Sequence, residues 1–289
     1  MMNKDIRVIY NGNLEVGENP LWNYQRNEFV FIDIIGRSVY IKNEKGSDVK
    51  RITLHQKIGC VALCDNGDML LGLEDGVYRM NISGEISLAH REVKIKGERF
   101  NDGKVGPDGA FYLGCADKDG RGAFYRLKDG HLEELFEGCA CSNGIDWTRD
   151  NKTMYYIDSP RQMIEAFDFD ISKGALSNRR KFTDIPCEWG LPDGMTLDAE
   201  DNIWVALWGG SRVIQIDKNS RKVINEIALP CPKVSSCAFG GKDLSELYIT
   251  TAAKEDIESY PKAGGVFAVS LGVNGKKINY YKGIKDEML

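Results

Sequence analysis

Glu18, Asn143 and Asp193 lie far apart in the chain, yet each stands ten or eleven positions before a short run of large apolar residues. The same count back from three further runs lands on Gly59, Asn101 and Ser236. Carboxylate and amide oxygens gathered in one cavity suit a hard divalent cation. Glu18 and Asp193, if brought together without one, would repel each other and lose water. Taken singly, the motifs GENPLW (17–22), RFNDGKV (99–105), CSNGIDW (141–147) and LPDGMTL (191–197) also read as turns, because Asn-Gly and Asp-Gly are strong turn signals. The shared offset decides between the readings. Gly59 and Ser236 occupy it too, so the position is not polar merely to make a turn.

The apolar runs are the elements that must position these residues. Six segments open with a turn and continue as an aromatic or β-branched stretch: NEFVFID (27–33), GDMLLG (67–72), GAFYLG (109–114), NKTMYYID (151–158), DNIWVA (201–206) and SELYITT (245–251). Their leading residues, Phe29, Met69, Phe111, Met154, Ile203 and Leu247, are spaced by 40, 42, 43, 49 and 44. Strand units repeating at that period match four-stranded propeller blades. The short runs after the offset position (PLW, CVAL, GKV, GIDW, GMTL and CAFG) read as innermost strands, with the anchored runs next outward. The spacing therefore predicts an all-β chain, a six-bladed β-propeller with one domain over residues 1–289. IRVIYN (6–11) is expected to close the last blade, beside GVFAVSL (265–271) and INYYKG (278–283), leaving few exposed sheet edges.

Composition narrows the function classes. A net charge of −5, from 38 basic and 43 acidic residues, leaves no basic footprint for nucleic acid. No apolar run is long enough for a membrane helix. The start, MMNKDIRVIY, lacks the apolar core of a secretory signal, so a cytoplasmic location is expected. The 31 glycines suit a chain that turns often. Eight cysteines show no paired C-x-x-C spacing and the three histidines are scattered, which argues for reduced, buried thiols rather than a Cys/His zinc site. Cys139 and Cys141 lie close to Asn143 but carry no sign of activation.

These motifs, together with MYYIDS, FDFD, LPDGMTLDAEDNIWVALWGG and CAFGGKDLSELYITTA, resemble those of the senescence-marker-protein, gluconolactonase and luciferin-regenerating-enzyme family. The resemblance covers nearly the whole chain. It implies a six-bladed propeller with one catalytic divalent metal in the central channel. Glu18, Asn143 and Asp193 would be the metal ligands, Arg99 and Asn101 would bind substrate, and Asp193 would also be the general base. The implied reaction is hydrolysis of a sugar lactone such as gluconolactone. All-oxygen ligation puts calcium foremost, with magnesium, manganese, zinc and ferrous iron as alternatives. No obligate protein partner is implied.

Two departures stand out. Asn19 replaces the second glycine of the usual Gly-Glu-Gly-Pro, and its side chain is expected to narrow the channel mouth. The loop CADKDGRG (115–122) is short, and its Asp117 and Asp119 are the only nearby acids that could contact substrate. Trp189 and Trp208 read either as walls for a sugar face or as propeller packing. Besides the lactonase, two classes fit the scaffold: a non-catalytic calcium-binding protein, and an interaction module. A hydrolase of other esters or organophosphates is a narrower variant.

Overall fold

Each apolar run is the second strand of a four-stranded antiparallel sheet, and six such sheets close into a ring. The computed structural model describes residues 5–44, 48–90, 94–254 and 257–282. The inner strands are Gly17–Asn23, Cys60–Leu63, Arg99–Val105, Ser142–Trp147, Leu191–Leu197 and Val234–Gly240. These define blades one to six. The expected six-bladed β-propeller is the fold. Among the described residues there is no α-helix, only 3-10 turns at Ser159–Arg161 and Cys187–Trp189.

The blades form because their middle strands are apolar on both faces. Phe29–Asp33 is buried throughout, whereas the outer strand Ala175–Asp184 is mostly exposed. Each blade packs face to face on the next, and every interface holds its own apolar cluster. Between blades two and three, Leu70 and Cys60 meet Phe100, Phe111 and Leu113. Between blades six and one, Phe29 stacks on Tyr248 with ring centroids 4.4 Å apart. Full burial of one such side chain is worth about 1.5–3 kcal/mol. The ring closes as expected, with Ile6–Tyr10 pairing antiparallel to Val266–Ser270 as the outer strand of blade six.

One expectation fails. Residues 278–282 are not a strand of blade six, and Gly283 lies outside the described residues. After Ser270 the chain turns beneath the ring and touches every blade at the far ends of the inner strands. Gly275 N donates to Leu244 O, Ala199 N to Asn274 O, and Tyr281 N to Leu63 O. Asn279 Nδ2 donates to Val105 O, and Tyr280 Oη to Asn23 Oδ1. Lys276 Nζ reaches Asp146 Oδ1 at 2.7 Å and also the Trp147 carbonyl. This strap closes the channel at the face opposite the offset residues. A cavity of about 30 Å³, room for roughly one water, remains above it.

The Lys276 contact has a signed consequence. Burial alone would raise the Asp146 carboxyl, but Lys104 and Lys276 outweigh it and hold the group at about 2. A depressed acid stabilises the fold above its ordinary value near 4, and that stability is lost as pH falls through about 2. Lys276→Met is expected to cost about 1–2 kcal/mol in urea unfolding at pH 7. The cost should be smaller at pH 2. An equal cost at both pH values would mean that packing, not this ion pair, holds the strap.

Candidate active site in the channel

The side chains at the shared offset face the channel because five of the six inner strands are bulged there. The ladder slips between Glu18 and Leu21, Phe100 and Asp102, Ser142 and Ile145, Pro192 and Met195, and Val234 and Ser236. A bulge breaks strict alternation and re-aims side chains. Glycine lets the strands approach this closely. A Cβ on Gly59 would lie 2.0 Å from Phe100 O, and one on Gly194 would lie 2.0 Å from Ser236 Oγ.

Glu18, Asn101, Asn143 and Asp193 are all buried, and Arg99 is half-buried beside them. Asn101 Nδ2 donates to Ser142 O at 2.8 Å and to Asn143 Oδ1 at 3.2 Å. Asn143 Nδ2 donates to Ser159 Oγ at 2.8 Å, and Ser159 Oγ donates to Pro192 O at 2.6 Å. One chain of hydrogen bonds thus joins blades three, four and five. Arg99 Nη1 donates to Phe100 O at 2.8 Å.

A residue missed in sequence completes the set. Asp102 is buried in the same channel. Its Asn-Asp-Gly context reads as a turn, but the bulge at Asn101 turns two consecutive side chains inward. Burial, and then Asp102, push the Glu18 carboxyl up to about 8, against hydrogen bonds from Asn19 N and Ser236 and the charge of Arg99. Burial, then Glu18 and Asp102, push Asp193 well above the carboxylate range, opposed by Arg99. Burial raises Asp102 as well, opposed by Lys104 and the Gly103 amide. Glu18 and Asp193 therefore share the half-buried Arg99 guanidinium, while Asp102 has Lys104.

The chemistry of this donor set fits a hard cation. Among the described residues, no three His, Cys, Asp or Glu side chains are grouped to hold a metal by themselves. An amide oxygen such as that of Asn143 would have to complete the set that Glu18 and Asp193 begin.

The other candidates separate clearly. Asp117 caps its own loop, accepting from Asp119 N at 2.9 Å and Arg121 N at 3.2 Å, and Asp119 pairs with exposed Arg121. Trp189 packs on the core between blades four and five. Trp208 is half-buried, with Lys233 Nζ 5.8 Å from its ring centroid. Six of the eight cysteines are buried, as expected, whereas Cys141 is half-buried and Cys187 is exposed. Cys139 is buried, and the Cys141 sulfur lies 3.6 Å from both Asn101 Nδ2 and Asn143 Nδ2. Burial and then Asp193 push the Cys141 thiol up to about 12, so it stays protonated. Asn19 does not narrow the mouth; its amide points deeper, toward Val61 and Gly103.

A six-bladed propeller with buried acids and amides on its axis is the class of protein defined here. Residues 16–253 match the SMP-30/Gluconolactonase/LRE-like region, and the chain belongs to that family. It is 36% identical over 286 residues to regucalcin from Sus scrofa, covering 93% of this chain and 96% of that protein. A crystal structure of luciferin-regenerating enzyme superposes with a TM-score of 0.88 at 28% identity, covering 97% of this chain and all of that one. A calcium-binding regucalcin from Agrobacterium tumefaciens shares the fold, with a TM-score of 0.89 at 23% identity over 96% of this chain and 98% of the other. No helix of the described residues is long and apolar enough to cross a membrane.

Proposed function

We propose that the chain is a metal-dependent lactonase that hydrolyses a sugar lactone of the gluconolactone type to its aldonic acid. The observation that carries this reading is the pair of buried acids, Glu18 and Asp193, sharing one arginine beside a third buried acid, Asp102, in a channel whose far end the strap closes. That charge imbalance suits a divalent cation, and Glu18, Asn143 and Asp193 would hold it. A bound cation would polarise the lactone carbonyl and stabilise negative charge on its oxygen.

The chain's own residues do the rest. Arg99 and Asn101 orient the lactone through charge-assisted and neutral hydrogen bonds. With the cation bound, the Asp193 carboxyl would be ionised despite its burial and would accept a proton from the attacking water. The water oxygen bonds to the carbonyl carbon, the bond to the ring oxygen breaks, and the proton taken up by Asp193 passes to that oxygen, which leaves as a hydroxyl.

A non-catalytic calcium-binding role is the second reading, favoured by the 36% identity to regucalcin. A pH-indicator assay on glucono-1,5-lactone separates the two. Activity is expected to fall to the uncatalysed rate after EDTA treatment and to return with a divalent metal, calcium, manganese, magnesium and zinc being supplied in turn. Cation binding with no hydrolysis of any aldonolactone would leave only the second reading. Hydrolysis unaffected by EDTA would overturn the metal dependence.

A further inference from the structure

Asn19 holds a backbone conformation that few side chains adopt, with φ at 46°. Asparagine and glycine tolerate that region best. The residue is buried, and its backbone N and both polar atoms of its side chain are used. Its backbone N donates to Glu18 Oε2 at 2.6 Å. Its Oδ1 accepts from Val61 N in blade two at 2.8 Å. Its Nδ2 donates to Asp102 Oδ1 at 3.1 Å and to Gly103 O at 3.3 Å, both in blade three.

One residue therefore ties three inner strands together, its side chain touching Asp102 and its backbone N touching Glu18. Val61 and Gly103 lie two residues beyond the offset positions Gly59 and Asn101, about 6–7 Å further from the mouth. The amide bridges blades two and three at that depth, beside Asp102 and between the offset positions and the strap.

We propose that Asn19 is a positioning residue that forms the floor of the site and fixes Glu18 and Asp102 toward its centre. A glycine here would keep the backbone and lose the floor. Asp102 would then lose its only side-chain amide donor from blade one, and Glu18 would hang on a less constrained loop. The inference rests on the cation-dependent reading for its binding arm, and on the hydrogen-bond geometry alone for its stability arm.

The test compares wild type, Asn19→Gly, Asp102→Asn and the double variant. Glycine takes φ near 46° without strain, so Asn19→Gly deletes only the amide. Calcium titrated by calorimetry into chelated, fully folded protein is expected to bind Asn19→Gly about tenfold more weakly. On glucono-1,5-lactone, kcat should fall more than KM changes. In melting scans of chelated protein, Asn19→Gly should lower Tm by several degrees, at about 2–4 °C per kcal/mol. Asp102→Asn should restore at least half of that loss in the Asn19→Gly background, while shifting wild type much less.

Unchanged calcium affinity and turnover in Asn19→Gly would overturn the positioning role. So would strictly additive Tm shifts, which would mean that Asn19 does not act on Asp102. If wild type binds no cation and hydrolyses no lactone, the functional reading falls instead, and the Tm cycle alone decides the role of Asn19.

Discussion

Asp193→Ala is expected to abolish lactone hydrolysis, lowering kcat/KM by about 10³-fold or more, roughly 4 kcal/mol of transition-state stabilisation. The protein should remain folded. Asp193 sits in the blade-five bulge, is buried, and shares the channel with Glu18 and Asp102. In chelated protein the substitution should not lower stability. Asp193 is an acid raised above its ordinary value, so it contributes stability only at low pH. That contribution is lost as pH rises through the folded-state value. Removing it at pH 7 relieves burial and repulsion. Chelated Asp193→Ala should therefore melt no lower than chelated wild type, whereas calcium should raise the Tm of wild type alone. Near-normal turnover in the folded variant would sink the assignment. A drop of several degrees in the chelated variant would sink the electrostatic account. Glu18→Gln should behave alike but keep weak cation binding, because its amide oxygen can still ligate.

The blades were legible in the sequence because each middle strand is buried on both faces and so must be apolar throughout. Phe29, Met69, Phe111, Met154, Ile203 and Leu247 all fall at or next to the start of such strands. Alternation along a strand could not have placed Asp102 in the channel, since it follows Asn101 directly. Only the bulge, a feature of three-dimensional pairing, turns both inward. The strap departs from the strand expected there for a related reason. INYY has the aromatic, β-branched character of a strand, and only packing beneath the ring distinguishes a strap from an edge. Tyr280 finds its partner in Asn23, about as far away in sequence as the chain allows. The direction of Asn19 differs from its sequence expectation because it depends on a left-handed φ that no neighbouring residue type announces.

Arg99 gives the prediction whose sign is most informative. Its guanidinium lowers both Glu18 and Asp193, so it is a positive charge that a bound cation must tolerate. It also stands at the first position of its inner strand, only half-buried, at the end of the channel away from the strap. Arg99→Ala is expected to lower kcat/KM by about ten- to a hundredfold, roughly 1.4–2.7 kcal/mol. Calcium affinity, read by calorimetry on chelated protein, should rise rather than fall, because one repelling charge is gone. Asn101→Ala should lower kcat/KM by at least about tenfold. Its effect on affinity should be modest, through the loosened amide of Asn143 that it now holds. The opposite sign for Arg99 and Asp193 separates substrate binding from cation binding in a way that activity alone cannot. If Arg99→Ala loses calcium as Asp193→Ala does, the arginine holds the site together and does not serve the substrate. If Asn101→Ala loses it as completely, Asn101 is itself a ligand, and the division between Glu18, Asn143 and Asp193 on one side and Arg99 and Asn101 on the other is wrong.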